Sequence, residues 1–131
     1  MKFLKKSQEK SLPKSYNPLI PSGLIAHTDK GYFYVKNNKK FRLSSDRAVD
    51  SWGLPVISTL ESKISHLTLA GVLGFRDGTL IKDISNGKIY LVSDSKRRHV
   101  INPDVLEWLG VKPIEVGLNE ALVHEEGEPL E

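Results

Sequence analysis

Hydrophobic and polar residues follow the same order in two stretches of the chain. From Gly31 to Gly53 the sequence is GYFYVKNNKKFRLSSDRAVDSWG, and from Gly87 to Gly110 it is GKIYLVSDSKRRHVINPDVLEWLG. Each stretch predicts a strand, a tight turn, a basic strand, a short capped helix and a glycine that ends the helix. From the turn to the closing glycine the two copies have equal length, so the sequence predicts an internal tandem repeat.

The hairpin of the first copy is predicted from its strand pattern and its turn. Tyr32–Lys36 is rich in aromatic and β-branched residues, and its alternation places Phe33 and Val35 on one face. Asn37–Asn38 suits a two-residue turn, because asparagine tolerates positive φ. Lys39–Leu43 is then the returning strand.

A short helix is predicted after each hairpin. Ser44–Ser45 offers an N-cap to the first helix, and Gly53 ends it; Asn102–Pro103 begins the second helix. A helix of about two turns is not stable alone and needs an anchor in the core. We predict Trp52 and Trp108 to be these core anchors.

The strands of the second copy match the first with small insertions. Leu80–Ile81 takes the place of Leu24–Ile25, and Tyr90 takes the place of Tyr34. Thr68–Gly78, between the copies, is predicted to be a glycine-bearing connector whose apolar residues need cover.

These patterns predict an α+β, mainly β fold built from two tandem repeats. A repeat of about 50 residues buries too little surface to be comfortably stable alone, so the repeats should share a core. Repeat 1 is assigned to residues 22–76, and repeat 2 with an acidic tail to residues 77–131. Residues 1–21 hold three prolines and no apolar periodicity, and predict an extended basic arm.

Composition limits the class of protein. The chain of 131 residues has no cysteine, which excludes disulfides and thiolate metal sites. No apolar run approaches the ~20 residues of a membrane span, and the N-terminus lacks the apolar region of a secretory signal. The net charge is only +3, but the arm is basic and the C-terminal tail is acidic. Opposite charges at the two ends suggest partners of opposite sign.

The arm is predicted to make assembly contacts rather than to build the core. Its lysines could meet acidic neighbours, including the tail of another copy. Its apolar residues are spaced as separate anchors along an extended segment. The predicted assembly contacts are Phe3, Leu4, Tyr16, Leu19 and Ile20.

The basic returning strands are the candidate contacts for an anion or a charged partner. The residues concerned are Lys39, Lys40, Arg42, Lys96, Arg97 and His99. One interpretation is a solvated edge strand whose lysines block unwanted pairing. A second is contact with the carboxylates of a partner protein or with a glycan. Nucleic acid is the least favoured partner.

No pattern of catalytic or metal-binding residues is recognised. The histidines show no HxH or HExxH spacing, no serine lies in a nucleophile elbow, and the glycine-rich stretch GVLG lacks the lysine of a phosphate loop. The sequence therefore predicts a protein that is not an enzyme and needs no cofactor.

The second copy, GTLIKDISNGKIYLVSDSKRRHVINPDVLEWLG, resembles a known repeat module. Its pattern, G-x-L-I followed by Y-L-V-x-x-x-K-R, is similar to that of β-rich tandem modules in bacterial surface proteins and bacteriophage tail and fibre proteins. The resemblance covers residues 22–130. The first copy departs from it by lacking the helix-starting proline and by having Phe41 where the second has Arg98.

The resemblance implies a structural or adhesion module without enzymatic activity. We expect a small bacteriophage virion component at the tail, fibre, baseplate or capsid–tail junction. Its partners would be other virion proteins or copies of itself. The alternative functions are a carbohydrate- or cell-surface-binding module that acts in host attachment, and a protein that binds nucleic acid through the basic hairpins. The expected location is the virion, with the bacterial cytoplasm or the cell surface as the alternative.

Overall fold

The computed structural model describes residues 9–11 and 20–131. Within them the chain forms two β-sheets and three α-helices, which confirms the predicted α+β, mainly β class. The chain divides after Leu73 into two compact units, called here the N-terminal unit (to residue 73) and the C-terminal unit (residues 74–131).

The N-terminal unit contains six strands, one α-helix and a single 3-10 turn, Glu61–Lys63, among its described residues. The strands are β1 (Lys10–Ser11), β2 (Ile25–Thr28), β3 (Gly31–Lys36), β4 (Lys39–Leu43), β5 (Val56–Ser58) and β6 (Thr68–Leu73), and the helix is α1 (Asp46–Trp52). The C-terminal unit contains β7 (Leu80–Asp83), β8 (Ile89–Ser93), β9 (Lys96–His99), α2 (Pro103–Leu109), β10 (Ile114–Val116) and α3 (Leu118–Leu122).

The two sheets share a strand order. The first runs β1-β5-β2-β3-β4-β6 and the second β10-β7-β8-β9. In both sheets, three consecutive antiparallel strands form a meander. A helix follows the meander, and the next strand pairs in parallel with the first strand of the meander. A further segment then lies parallel to the basic strand: β6 beside β4, and residues 125–130, the C-terminal segment, beside β9.

The predicted turn and helix caps are confirmed. Asn37 and Asn38 have φ of 49° and 63°, the paired positive values of a two-residue hairpin turn. The hydroxyl of Ser45 accepts a hydrogen bond from the Ala48 amide at 3.2 Å, and α1 ends at Gly53 with φ of 62°.

The match of the two hairpins is corrected by one position. Counted from the turn, Tyr90 corresponds to Phe33 and not to Tyr34, because Tyr90 pairs with His99 as Phe33 pairs with Arg42. The second copy has a longer loop before its middle strand. An alignment of the two copies on Gly31 and Gly87 therefore displaces β8 by one residue relative to β3.

The predicted connector Thr68–Gly78 contains a strand. Its first six residues form β6, which pairs in parallel with β4. A short apolar run without alternation does not distinguish a strand from a connector, and its pairing with β4 is long-range. Contrary to the expectation of cover, Leu69 and Val72 are 53% and 58% exposed.

Side chains on both faces of the first sheet are buried. One face carries the cluster Ile20, Ala26, Phe33, Val35, Ile64 and Leu67, and the other carries Ile25, Leu43, Val49 and Val56. Ile20, which was assigned to assembly contacts, is thus part of the core. The prediction that residues 1–21 add little to the fold is wrong at this position, because the side chain of Ile20 packs in the cluster on one face of the sheet.

The two repeat helices are packed differently. α1 buries Ala48 and Val49, and Trp52 stacks on Tyr34 with a centroid distance of 6.1 Å. No residue of α2, all of which are described, is buried, and Trp108 is 83% exposed. The prediction that Trp108 is a core anchor is wrong. Trp108 is displaced by one position relative to Trp52, and one residue turns a helix by about 100°.

The buried side chain of His124 links two segments of the C-terminal unit by hydrogen bonds. Its Nε2 accepts a hydrogen bond from the Phe75 amide at 2.9 Å, and its Nδ1 lies 2.6 Å from the carbonyl oxygen of Ser95. These partners require the tautomer with the proton on Nδ1. A Cβ at Gly74 would lie 2.4 Å from Nε2, so the close approach of the chain requires glycine there.

The tryptophans should respond differently to truncation. We expect Trp52→Ala to destabilise the protein by somewhat less than the ~3–5 kcal/mol of a fully buried tryptophan. Trp108→Ala should change the free energy of unfolding by less than about 0.5 kcal/mol, because its side chain contacts mainly water. Denaturant unfolding of both variants measures the difference. Equal destabilisation would contradict the packing described here.

Candidate functional site

A buried aromatic ring lies under two cationic side chains in the first sheet. Phe33 on β3 is 2% exposed. The Nζ of Lys40 lies 5.4 Å from the ring centroid and the Cζ of Arg42 lies 4.8 Å from it. Both residues are on β4, and Arg42 is the cross-strand neighbour of Phe33. Alternation along β4 places Lys40 and Arg42 on the same face.

The second sheet repeats this arrangement. Tyr90 on β8 is 4% exposed. The Cζ of Arg97 lies 5.5 Å from its ring centroid, and the His99 ring lies at 5.6 Å. Four of the predicted partner-contact residues therefore cover aromatic rings of their own sheets.

Lys40 is also held by a carboxylate. Its Nζ lies 3.5 Å from Oε1 of Glu61 and donates to the carbonyl oxygen of Ile64 at 3.2 Å. The hydroxyl of Thr28 donates to Oε2 of Glu61 at 2.7 Å. Burial alone would raise the pKa of Glu61, but the Thr28 hydrogen bond and the Lys40 ammonium hold that pKa below its ordinary value. Lys40 thus has a role in the fold.

Arg97 has equivalent partners in the C-terminal unit. Its guanidinium donates to the carbonyl oxygen of His124, and its second terminal nitrogen lies 3.5 Å from Oε1 of Glu126. The neighbouring Arg98 donates to the carbonyl oxygen of Glu128 at 2.8 Å. The basic strand β9 and the acidic tail therefore satisfy each other within one chain.

Backbone hydrogen bonds fix the C-terminal segment along β9. The amide of Arg97 donates to Glu125 at 2.8 Å, and the amide of Gly127 donates back to Arg97 at 3.0 Å. The amide of Leu130 donates to His99 at 2.8 Å. The tail was expected to seek neighbouring proteins, but this part of it is the outermost strand-like segment of its own sheet.

A shallow groove of about 600 Å³ lies between β9 and the C-terminal segment. Lys96 and Arg98 line one side, and Glu126 and Glu128 line the other. Because both signs of charge meet there, the groove does not present the positive field that a polyanion requires.

The part of the arm that the structure describes is docked on the first sheet. β1 pairs in parallel with β5, and the Glu9 carboxylate lies 2.8 Å from Nδ1 of His27. The Tyr32 hydroxyl donates to Glu9 at 3.2 Å, and the His27 and Tyr32 rings stack at 3.8 Å. Burial, followed by the charges of Glu9 and Asp46, raises the pKa of Tyr32 to about 12.

The other predicted contacts are placed as follows. Lys39 and Lys96 are exposed at the ends of their hairpins. Arg42 is exposed as well, but its guanidinium donates to the carbonyl oxygen of Lys30 at 2.8 Å. Four assembly contacts predicted in the arm lie outside the described residues: Phe3, Leu4, Tyr16 and Leu19.

Large apolar side chains surround α2 on the protein surface. Ile101, Trp108 and Val111, called here the α2 surface, are 51%, 83% and 52% exposed. Ile101 comes just before the helix and Val111 just after it. Sequence reasoning missed this surface, although the one-position shift of the tryptophan was the available signal.

Metal, membrane and family relationships add no further assignment. Among the described residues there is no group of three or more histidines and acidic side chains that could hold a metal ion. In the same part of the chain, no helix is both long and apolar enough to span a bilayer. Comparisons with models of known protein families, with curated proteins and with solved structures find no match.

Lys40→Met should destabilise the protein by about 1–2 kcal/mol, because a half-buried carboxylate loses its partner. The adjacent exposed Lys39→Met is the control and should change stability by less than about 0.5 kcal/mol. Because the pKa of Glu61 is lowered in the folded protein, its carboxylate contributes stability at pH values above 4.5, the ordinary pKa of the group. This stability is lost as the pH falls through the folded-state pKa. The destabilisation caused by Lys40→Met, measured by thermal unfolding, should therefore be largest near neutral pH and smaller in acid.

Glu9→Gln should lower the pKa of Tyr32 toward its ordinary value of 10, because the amide removes a negative charge beside the phenol. The phenolate absorbance of the protein, minus that of its Tyr32→Phe variant, measures this group alone. At pH 10 the Glu9→Gln variant should contain more Tyr32 phenolate than the wild type. An unchanged titration, equal to that of the control Glu115→Gln, would mean that Glu9 does not dock on the sheet.

Proposed function

We propose that this chain is a non-enzymatic interaction protein that binds a partner protein through the α2 surface. The observation that carries the proposal is Trp108, a tryptophan 83% exposed on a helix that buries none of its residues. Tryptophan is enriched among the residues that dominate binding energy at protein interfaces. Ile101 and Val111, each two residues beyond an end of α2, are also exposed and add apolar surface near the helix ends.

The proposal includes a two-repeat origin for the chain, with residues 22–76 and 77–131 as tandem repeats. The common strand order, the matching turns and the matching helix caps support it. In the first repeat the helix is used for packing. In the second repeat Trp108 of the equivalent helix is exposed while Val105, Leu106 and Leu109 are half-buried, so the repeat has an exposed indole available for a partner.

We place the protein in a bacteriophage virion, with other virion proteins or copies of itself as partners. The sequence resemblance to tail and fibre modules supports this placement. The bacterial cytoplasm and the cell surface are the alternative locations.

Carbohydrate binding is the second candidate, and the same tryptophan favours it. An exposed indole can stack on a sugar ring, as in host attachment. In a Trp52→Phe background the fluorescence of Trp108 would report such binding directly. A saturable change on titration with host surface oligosaccharides would favour this function over a protein contact.

Nucleic-acid binding is supported least. Lys40, Arg42, Arg97 and His99 cover aromatic rings, and the first and third of these residues also hold carboxylates. A polyanion would have to displace those internal partners before it could reach the charges.

Particle purification tests the proposal. We expect the chain to co-purify at a fixed ratio with the virions of the phage that encodes it, and Trp108→Ser to reduce that ratio at least about tenfold, a loss of about 1.4 kcal/mol or more. The melting temperature of Trp108→Ser should stay close to that of the wild type. Ile84→Ser, which changes a side chain 64% exposed elsewhere, is the matched control and should be incorporated normally.

The outcomes separate the parts of the proposal. A wild-type chain that is absent from purified particles contradicts the virion placement. Normal incorporation of Trp108→Ser contradicts the role of the α2 surface.

A further inference from the structure

The outer strand β6 is built differently from the other sheet edges that the structure describes. It is the last strand of its sheet and runs Thr68–Leu73 without a charged residue or a proline. Leu69 and Val72 are 53% and 58% exposed on it. The two residues neighbour Lys40 and Arg42 in register and so lie on the same face of the sheet. An apolar edge strand of this kind is a template for pairing with another strand.

The other described edges carry charges. β1 has the exposed Lys10, and β10 has the exposed Glu115. The C-terminal segment, which covers β9, has exposed glutamates and Pro129. When two copies of one chain approach by the same edge, identical charges face each other and oppose the pairing. β6 lacks this protection.

We propose that β6 is a self-association edge, on which β6 of a second copy of this chain pairs in antiparallel orientation. A two-fold arrangement places the same apolar residues on both sides, so Leu69 and Val72 of one copy face those of the other. No like charges meet within such a pair of strands. The interface is small, so the dimer forms reversibly as the protein concentration rises.

The outer side of β6 is available for a second strand. Among the described residues β6 pairs only with β4, and four of its six residues are exposed. The register of β6 with β4 shifts opposite Lys40 and Phe41, after which residues 71–73 pair regularly. The regular part and Leu69 together provide the edge. This contact is separate from the α2 surface, so the two proposals can fail independently.

Sedimentation velocity over a range of protein concentrations tests the proposal on the full chain. We expect the wild-type mass to rise from the monomer toward the dimer with concentration. Val72→Lys should remain monomeric at concentrations at least tenfold higher, with an unchanged melting temperature, because it places a charged side chain opposite the apolar Leu69 of the second copy. Leu69→Lys provides a second, independent position on the same face.

Two controls make the result specific. Ile84→Lys adds the same charge at a similarly exposed apolar residue of the C-terminal unit and should dimerise like the wild type. A wild type that stays monomeric throughout, or a Val72→Lys variant that dimerises normally, overturns the proposal. Dimerisation that Trp108→Ser abolishes and Val72→Lys leaves intact would assign the contact to the α2 surface instead and also overturn it.

Discussion

A buried aromatic ring beneath cations of the adjacent strand is the interaction on which both sheets depend. Phe33 and Tyr90 stand at the same place in the two hairpins, and Lys40 and Arg97 cover them. A carboxylate and a carbonyl from a later segment also contact each of these two cations, which offsets the cost of burying part of its charge. The interaction therefore joins the hairpin to the chain that follows it.

This constraint changes which surfaces are available for function. The basic strands had seemed the natural place for a charged partner, but Lys40 and Arg97 on them are already paired with Glu61 and Glu126. The remaining candidates are apolar: the α2 surface and the edge of β6. Both fit a protein that acts by contact with other proteins, and neither depends on net charge.

Local sequence features predicted local structure well. The Asn37–Asn38 turn and the helix caps at Ser45 and Gly53 depend on residues within a few positions of one another, and they were found. The exposure of Trp108 was missed, because a shift of one residue turns the side chain by about 100° while the apolar pattern is otherwise kept. The pairing of β6 with β4, and of the tail with β9, joins segments distant in sequence that carry no local signal.

Native-state hydrogen exchange at Gly127 and Leu130 tests the central claim most directly. Their amides donate to Arg97 and His99, so docking of the acidic tail on the basic strand should protect both of them. We expect slow exchange in the wild type and selective loss of this protection in Arg97→Met, while the amides of β3 stay protected. Exchange of both amides at the rate of an unstructured peptide in the wild type would show that the basic strand is not occupied by its own tail, and would contradict the account.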